Sequence, residues 1–365
     1  MSAQAERFRD IIGRADLRDR LQQSLRTGRI SHAYILEGEP RSGKRYLADL
    51  FSRALVCEQL GEDPQTGLLE PCGCCSACTR VLAGTHPDVL TITHEKETSI
   101  GVDEIRKQLV GQSQISAYEG GRRIYIVPDS EIMTGAAQNA LLKTLEEPTP
   151  GVTILLLARS AGLLLPTIVS RCVLLSLRPI GEDALTGFLM KHRHIVDYRA
   201  RIAAAFSQGS IGRAIDLAES DRFERFRRDA VTLIMDLPRL TTHGILERLR
   251  TLTGDAQKDG DDAQQQTRDE KQPDIQTLLD VCAWLLRDAL VCAASDMSAP
   301  EGHLILTDQI LYSKKIASIL QPDELVQLLL RTEEVRRQLA VHVNEELAME
   351  LFLLSWKGRM KEISA

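Results

Sequence analysis

The chain has 365 residues, of which 43% are hydrophobic and 26% charged, and its formal net charge is -6. This length is too great for one ordinary domain and fits two or three, and the acidic balance argues against direct binding of nucleic acid by the molecule as a whole. The first ten residues are polar and no stretch reaches the roughly 18 to 20 apolar residues of a membrane span, so we expect a cytoplasmic protein with no membrane partner.

The first half of the chain alternates short apolar strands with helical stretches. Strands are predicted at residues 33–37, 89–93, 123–127, 153–158 and 173–176. Helices are predicted at residues 47–57, 102–113, 135–145 and 166–170. This alternation predicts an α/β fold in which a parallel sheet has helices on both faces.

A phosphate-binding loop lies between the first predicted strand and the helix after it. Residues 38–45 read Gly-Glu-Pro-Arg-Ser-Gly-Lys-Arg. In the intact pattern G-x-x-x-x-G-K-[ST], backbone amides and the lysine hold phosphates, and the final hydroxyl ligates Mg²⁺. Gly38, Gly43 and Lys44 keep the phosphate-binding part, but Arg45 stands in place of the hydroxyl residue.

The second protein contact to Mg²⁺ should be an Asp at the end of a downstream apolar strand. The matching strand is residues 124–127, and the next residues are Pro128, Asp129, Ser130 and Glu131. Pro128 therefore occupies the place of the metal-binding Asp. The loss of both contacts indicates an NTPase scaffold without NTPase chemistry.

Five of the eight cysteines fall between positions 57 and 78, and in a reducing cytosol such a cluster favours a metal over disulfides. Cys72, Cys75 and Cys78 place three thiolates on a tight loop that can close around tetrahedral zinc. We choose Cys57 as the fourth ligand, with Cys74 as the competing candidate. The alternative reading is a set of free buried thiols. The remaining cysteines lie in apolar surroundings and are predicted to be packing residues: Cys172, Cys282 and Cys292.

After Pro179 strand patterns give way to amphipathic helices. Three domains are predicted: residues 1–178 with the cysteine loop 57–78 inserted, residues 179–220, and residues 221–365. Residues 253–274 contain no large apolar side chain, so we expect a disordered insertion or loop there.

Several short motifs in a fixed order now resemble one family, the delta-prime subunits of the bacterial DNA polymerase III clamp loader. The motifs are SHAY at 31–34, the cysteine loop, GTHPD at 84–88, VDEIR at 102–106, NALLKTLEEP at 139–148, SRC at 170–172 and NEELAME at 344–350. The resemblance covers about the first 220 residues and a segment near the C-terminus. In one respect the chain departs from it: fourteen residues separate Cys57 from Cys72, a longer interval than in the family, and Cys74 is extra. The fourth zinc ligand therefore stays open between Cys57 and Cys74.

The resemblance implies an AAA+ core, a small helical lid and an all-α collar domain, through which clamp-loader subunits form a ring. Residues 324–339 and 344–357 would be collar helices. Motor subunits of such loaders hydrolyse ATP, whereas delta-prime subunits are generally ATPase-deficient. Two further positions agree with this deficiency: Ala158 stands where a polar residue often senses the terminal phosphate, and Gly212 stands where the lid arginine is expected, with Arg213 one residue late.

The resemblance gives Arg171, in SRC, a catalytic role in trans on ATP held by a neighbouring subunit. A guanidinium suits this role because it is permanently charged and presents a planar fork of donors to a transferring phosphoryl group. The alternative is an arginine that pairs structurally near a strand end. The implied partners are the motor and delta subunits and the sliding clamp, with primed DNA bound by the assembled complex.

The leading hypothesis is therefore a non-hydrolysing clamp-loader subunit of the DNA polymerase holoenzyme, with a structural zinc because four thiolates leave no open coordination position. The main alternative is an active AAA+ motor subunit, since Lys44, Asp129 and Glu131 remain as phosphate and metal contacts. Residual nucleotide binding is left open. A zinc-dependent nucleic-acid binding module is a third reading, disfavoured by the acidic balance.

Overall fold

The computed structural model describes residues 7–96, 98–113, 117–119, 121–254, 274–295, 303–340 and 344–362. The chain divides into two compact units, residues 1–194 with 207–215 and residues 195–206 with 216–365. Most of the predicted disordered segment 253–274 lies outside the described residues. At its ends, Thr253 closes one helix and Asp274 caps the next. The predicted boundaries of a separate lid at residues 179 and 220 stay a prediction.

The first unit is built from alternating strands and helices. Its strands are β1 Ala33–Glu37, β2 Gly61–Glu62, β3 Leu69–Glu70, β4 Val89–Thr91, β5 Arg123–Val127, β6 Val152–Ala158 and β7 Val173–Ser176. Its helices are α1 Ala15–Thr27, α2 Lys44–Val56, α3 Ser76–Leu82, α4 Val102–Ile105, α5 Gly135–Glu146, α6 Pro166–Val169 and α7 Glu182–Arg193. The helix predicted at residues 102–113 is shorter, because a π-helical turn, Arg106–Val110, follows α4.

Five strands form one parallel sheet in the order β4-β5-β6-β1-β7. Alternate residues of one strand enter two different cores, since successive side chains of a strand point to opposite faces. Tyr125 and Ile154 pack in one core, whereas Ile124, Ile126 and Leu155 pack in the other. The predicted parallel sheet with helices on both faces is confirmed.

The regular elements described in the second unit are helices. They are α8 Asp197–Phe206, the end of α9 Ile211–Glu219, α10 Asp221–Asp236, α11 Thr242–Thr253, α12 Ile275–Ala294, α13 Ile310–Ile319, α14 Pro322–Ala340 and α15 Glu345–Glu362. Trp356 and Phe352 are fully buried and meet edge to face, with ring centroids 5.8 Å apart. This apolar core confirms the predicted all-α C-terminal region. No helix among the described residues combines the length and hydropathy needed to cross a bilayer.

Candidate functional site

The phosphate-binding loop joins the carboxyl end of β1 to the amino end of α2. Gly43 caps α2 with φ 97°, a left-handed conformation that glycine adopts without a Cβ clash. Arg41 also has positive φ, at 62°, which is strained for a side chain of this size. Because α2 starts at Lys44, the amides of its first turn have no intrahelical acceptor and form an anion-binding end.

Lys44 turns back onto its own loop. Its Nζ donates to the carbonyl oxygens of Gly38 and of Glu39, the latter at 3.1 Å. Burial lowers the pKa of Lys44, although the carboxylates of Glu131 and Asp129 act in the opposite direction. Three acidic side chains thus act on the phosphate-binding lysine, since Glu39 also opposes the effect of burial.

Arg45, at the first metal-ligand position, is engaged elsewhere. Its Nε donates to both carboxylate oxygens of Asp49, at 3.0 and 2.9 Å, and its Nη2 donates to Thr91 Oγ1 at 3.0 Å. Arginine has donors and no acceptor, so it cannot ligate a cation. This position offers Mg²⁺ no ligand.

The second metal-ligand position follows β5 and is also without a ligand. Pro128 has no polar side-chain atom, and Asp129 takes a left-handed conformation with φ 45° and ψ 43°. Ser130 Oγ donates to the carbonyl of Leu157 at 3.0 Å. Glu131 is only 10% exposed in its side chain and lies 3.6 Å from Arg159 Nε. The Ser130 hydroxyl is therefore committed to a neighbour in the chain, whereas Glu131 Oε2 is buried without a hydrogen-bond partner.

Two small residues adjoin the loop at the positions where a phosphate-sensing polar residue and a lid arginine are expected. Ala158 ends β6, and its carbonyl accepts from the Gly38 amide at 3.1 Å. Gly212 approaches so closely that its amide donates to the Arg41 carbonyl at 3.0 Å, and an added Cβ would lie 2.8 Å from that oxygen. Neither position offers a side-chain donor to the loop.

Arg14 is a loop contact that the sequence reasoning missed. Its Nη1 donates to the Ser42 carbonyl at 2.7 Å and its Nε to the Arg178 carbonyl at 3.0 Å. Burial lowers the pKa of Arg14 to about 10, and Nη2 is buried without a hydrogen-bond partner. The residue stands just before α1, far from the loop in sequence, and no local pattern indicates the contact.

The loop opens into a cavity of about 750 Å³, which is within the usual size of a small-molecule site. Its apolar wall comes from both sides of the loop in sequence: Ile11, Ile12, Leu17, Ile180, Phe188, Ile211 and Ile215. The rings of Phe188 and His192 stack with centroids 5.1 Å apart. The cavity thus joins an apolar, partly aromatic wall to a phosphate-binding loop.

Arg171 lies at the opposite edge of the sheet from this cavity. It precedes β7, whereas the loop follows β1, and the two strands are parallel with Tyr34 beside Val173. Its Nη1 donates to the Thr167 carbonyl at 2.9 Å, and its Nη2 lies 2.9 Å from Glu146 Oε1. The structure therefore does not bring Arg171 together with the chain's own phosphate-binding residues.

A second site lies in the cysteine loop. The sulfur atoms of Cys57, Cys72, Cys75 and Cys78 all lie within 4.8 Å of one another and could hold a metal ion. Backbone amides support three of them: the amide of Cys72 donates to Cys57 Sγ at 3.3 Å, that of Cys75 to Cys72 Sγ at 3.3 Å, and that of Cys78 to Cys75 Sγ at 3.4 Å. Cys74 is exposed and stands outside the group.

The environments of these thiols differ. Burial opposes ionisation of Cys72, but the amides of Cys74 and Cys75 outweigh it and lower the pKa of Cys72 to about 6. Burial raises the pKa of Cys57 and of Cys78. Thiolates bind metals, so a cation at this cluster would displace protons from the buried thiols. The cysteines predicted to be packing residues, Cys172, Cys282 and Cys292, are half-buried in the first case and buried in the other two.

The sheet order, the phosphate-binding loop after β1, which lies between β6 and the edge strand β7, and the helical region beyond define an AAA+ protein of the P-loop class. The family model described as "DNA polymerase III, delta subunit" matches residues 13–181. The DNA polymerase III subunit delta' of Yersinia pestis is 30% identical over 348 residues, covering 91% of this chain and 90% of that protein. The chain belongs to the delta-prime subunit family of DNA polymerase III.

Other relatives match over shorter stretches. The delta' subunit of Escherichia coli K12 is 35% identical over 207 residues, which are 56% of this chain and 60% of that protein. That of Pseudomonas aeruginosa is 41% identical over 144 residues, 39% of this chain and 42% of the relative. The chain thus spans about half the length of these two relatives in the matched regions.

Proposed function

We propose that this chain is a clamp-loader subunit in DNA replication that hydrolyses no ATP itself and presents Arg171 to ATP held by a neighbouring subunit. The observation that carries the proposal is the separation of the phosphate-binding loop from Arg171, which lie at opposite ends of the parallel strands β1 and β7. The chain's own loop has no Mg²⁺ ligand at either expected position, whereas Arg171 stands at the other edge. Family membership supports the setting in a DNA polymerase III complex.

The lack of hydrolysis follows from electrostatics. In P-loop NTPases the metal bridges the phosphate oxygens and neutralises the charge that develops on the transferred group. Arg45 is a donor already engaged with Asp49, and Pro128 offers no side-chain oxygen. Without a metal, phosphates at this loop would meet Lys44 in the presence of the carboxylates of Asp129 and Glu131.

The proposed action of Arg171 in trans is supported by its distance from the chain's own loop. β7 has four residues, which span roughly 10 to 13 Å at ~3.3 Å per residue. Arg171 precedes this strand, so it lies at the end of the strand that is remote from the phosphate-binding loop. Its side chain is 35% exposed, which leaves the guanidinium accessible to a neighbour.

The proposed partners are the motor and delta subunits, the sliding clamp and, through the assembled complex, primed DNA. The C-terminal unit offers an apolar surface for the ring contact. Leu347 and Leu351 are one turn apart on α15 and 50% and 51% exposed, and Leu330 on α14 is 65% exposed. A relative named DNA polymerase III subunit tau, from Bacillus subtilis, is 34% identical over 187 residues, 31% of its own length.

The ion proposed for the cysteine cluster is zinc, in a structural role. Four sulfur ligands suit tetrahedral zinc and leave no open position for a substrate. The cluster would fasten the loop after α2 to α3, since Cys57 ends the first helix and Cys78 lies in the second.

Two measurements test the proposal. The isolated chain should show no ATP turnover with or without Mg²⁺, and the loader reconstituted with Arg171→Ala should load clamps poorly. Robust Mg²⁺-dependent turnover by the isolated chain would favour an active motor subunit instead. Full loading activity with Arg171→Ala would remove the role in trans.

A further inference from the structure

The cysteine loop contains a feature that metal coordination alone does not need. Fourteen residues separate Cys57 from Cys72, and they include an antiparallel hairpin of β2 and β3 with two residue pairs. So small a hairpin is not stable by itself. Cys57 precedes the hairpin, and Cys72 follows it two residues after Glu70. A metal ion bound by both sulfur atoms would therefore close the base of the β2–β3 hairpin.

The hairpin contacts the N-terminal segment, residues 7–27, which contains a 3₁₀ turn at Phe8–Asp10 and the helix α1. The two carboxylate oxygens of Glu70 accept from the amides of Phe8 and Arg9, at 2.7 and 2.9 Å. Glu70 is only 6% exposed, so little water competes for these hydrogen bonds. An ionised acceptor makes such bonds roughly twice as strong as a neutral one does. Glu70 therefore anchors the turn.

A second carboxylate of the hairpin supports the same turn. Asp63 accepts from the amides of Gln65 and Thr66 at 2.8 and 3.2 Å, and these bonds shape the connection between β2 and β3. The Asp63 side chain is 4% exposed and lies 3.1 Å from Arg9 Nη1. The position of Arg9 therefore depends on the shape of the hairpin.

The helix α1 is held by β3. Gln22 is 4% exposed, and its side-chain amide donates to the Leu69 carbonyl at 2.9 Å and accepts from the Leu69 amide at 2.7 Å. Arg26 Nη1 also lies 2.7 Å from Glu62 Oε1, but both side chains are exposed, so this pair contributes little. The buried contact of Gln22 with Leu69 is the stronger link between α1 and the hairpin.

Apolar packing also holds the N-terminal segment and limits its release. Phe8, Leu17 and Leu21 are buried in a core shared with α2 and the sheet. The helix α1 has 13 residues, and an isolated helix of that length is marginal in water. Weaker contacts with the hairpin should therefore make local opening of the segment more frequent without unfolding the unit.

We propose that a metal ion at the cysteine cluster makes the β2–β3 hairpin a clasp that keeps the N-terminal segment docked, and that loss of the ion lets the segment open. Glu70 and Asp63 hold the turn at Phe8–Asp10, and Leu69 holds α1 through Gln22. The inference rests on the zinc proposed above for the cysteine cluster. It gives the long interval between Cys57 and Cys72 a role beyond coordination.

Hydrogen exchange of the purified full chain tests the clasp, with zinc bound and after its removal by a chelator. The probes are the amides that the clasp engages, those of Phe8, Arg9 and Leu69. Without zinc we expect these amides to exchange at least about tenfold faster, because each opening exposes them to solvent. The Ile154 amide, which donates to the His32 carbonyl in the sheet, should change by less than about twofold.

The outcomes separate this inference from the proposed ion. A chain that takes up no zinc, as measured by elemental analysis, would overturn both. Zinc uptake with unchanged exchange at Phe8 and Arg9 would overturn the clasp alone. Equal acceleration at Ile154 would show a general loss of structure and would also contradict a local clasp.

One variant weakens the clasp without removing a sulfur ligand. Glu70→Gln should keep one zinc per chain and accelerate exchange at Phe8 and Arg9 by about fivefold or more, because a neutral amide is a weaker acceptor than a carboxylate. Glu62→Gln is the matched control: Glu62 lies in the same hairpin but pairs with Arg26 at the surface, and the change should stay within about twofold. Unchanged exchange in Glu70→Gln, or equal acceleration in Glu62→Gln, would contradict the assigned contacts.

Discussion

Arg171 Nη2 and Glu146 Oε1 are 2.9 Å apart, so the arginine proposed to act on a neighbour is paired with a carboxylate of its own chain. Both side chains are partly exposed, at 35% and 52%. Water screens such a pair, which is worth about 0 to 1 kcal/mol. A neighbour's phosphates carry more charge than one carboxylate. Breaking the pair with Glu146 so that Arg171 can bind them would therefore require little free energy.

Replacing Glu146 by Gln should therefore leave the assembled loader active. We expect ATP turnover that is unchanged or raised by at most about fivefold, since the pair that competes for Arg171 is worth no more than about 1 kcal/mol. Steady-state turnover of the reconstituted complex measures this. A tenfold loss of activity would mean that Glu146 itself contributes to the neighbour's site.

The cysteine cluster predicts which thiols hold the metal. Cys57→Ser and Cys75→Ser should each weaken zinc binding by more than the roughly 10–100-fold that loss of an outer-shell partner costs. Cys74→Ser should keep one zinc per chain, because Cys74 lies outside the cluster. Elemental analysis after dialysis against a chelator gives the zinc content. Zinc loss on Cys74→Ser with retention on Cys57→Ser would reverse the assignment of the fourth ligand.

The ion pair between Arg227 and Asp308 gives a stability prediction for the all-α unit. Arg227 is 2% exposed in its side chain, and Asp308 accepts two hydrogen bonds from it at 2.8 Å each. Asp308→Ala leaves that guanidinium buried and unpaired, and we expect a loss of roughly 3 kcal/mol in the free energy of unfolding.

The matched control is Asp236→Ala. Asp236 pairs with Arg248, but the two side chains are 35% and 47% exposed, so the loss should stay below about 1 kcal/mol. Urea denaturation of both variants measures the difference. Equal losses in the free energy of unfolding would show that the burial of Arg227 does not determine the effect of removing its partner.

The buried side chain of His86 makes the free energy of unfolding depend on pH. Its Nδ1 accepts from the Asp88 amide at 3.1 Å, so the neutral ring carries its proton on Nε2. Burial lowers its pKa below the ordinary 6.5, with Arg80 acting in the same direction and with Glu119 and Asp88 opposing. As the pH falls, the unfolded chain therefore takes up this proton before the folded chain does.

The contribution of His86 to stability is thus complete above pH 6.5 and is lost as the pH falls through the folded-state pKa. We expect the free energy of unfolding to fall with pH in this window, and His86→Asn to remove part of that slope. Denaturant unfolding of the two proteins at several pH values tests this. Parallel pH profiles for the wild type and the variant would contradict it.

Sequence reasoning predicted those parts of the fold that depend on local patterns. The alternation of short apolar strands with helical stretches predicted a parallel sheet with helices on both faces, and Ile124 and Tyr125 of β5 do enter opposite cores. The glycines and lysine of the loop predicted a turn before a helix, and Gly43 caps α2. Regular spacing likewise predicted that Cys72, Cys75 and Cys78 share one site, and these sulfurs do lie together.

Contacts between residues far apart in the chain could not be predicted in this way. Nothing near Arg14 indicates that it reaches the Ser42 carbonyl, because that contact depends on how α1 packs beside the loop. The pairing of Arg171 with Glu146 likewise depends on where α5 ends relative to β7. The close approach of Gly212 to Arg41 requires the tertiary structure, although the missing side chain is visible in the sequence.

The most direct test of the central claim is ATP turnover by the assembled loader carrying Arg171→Ala, with ATP saturating and the neighbouring subunit as the one site left competent for hydrolysis. The account predicts a fall in turnover on the order of 10³, the lower range for loss of an arginine that acts on a transferring phosphoryl group. Arg29→Ala, a change at an exposed arginine just before β1, should leave turnover unchanged. Wild-type turnover with Arg171→Ala would contradict the claim that this chain completes its neighbour's active site.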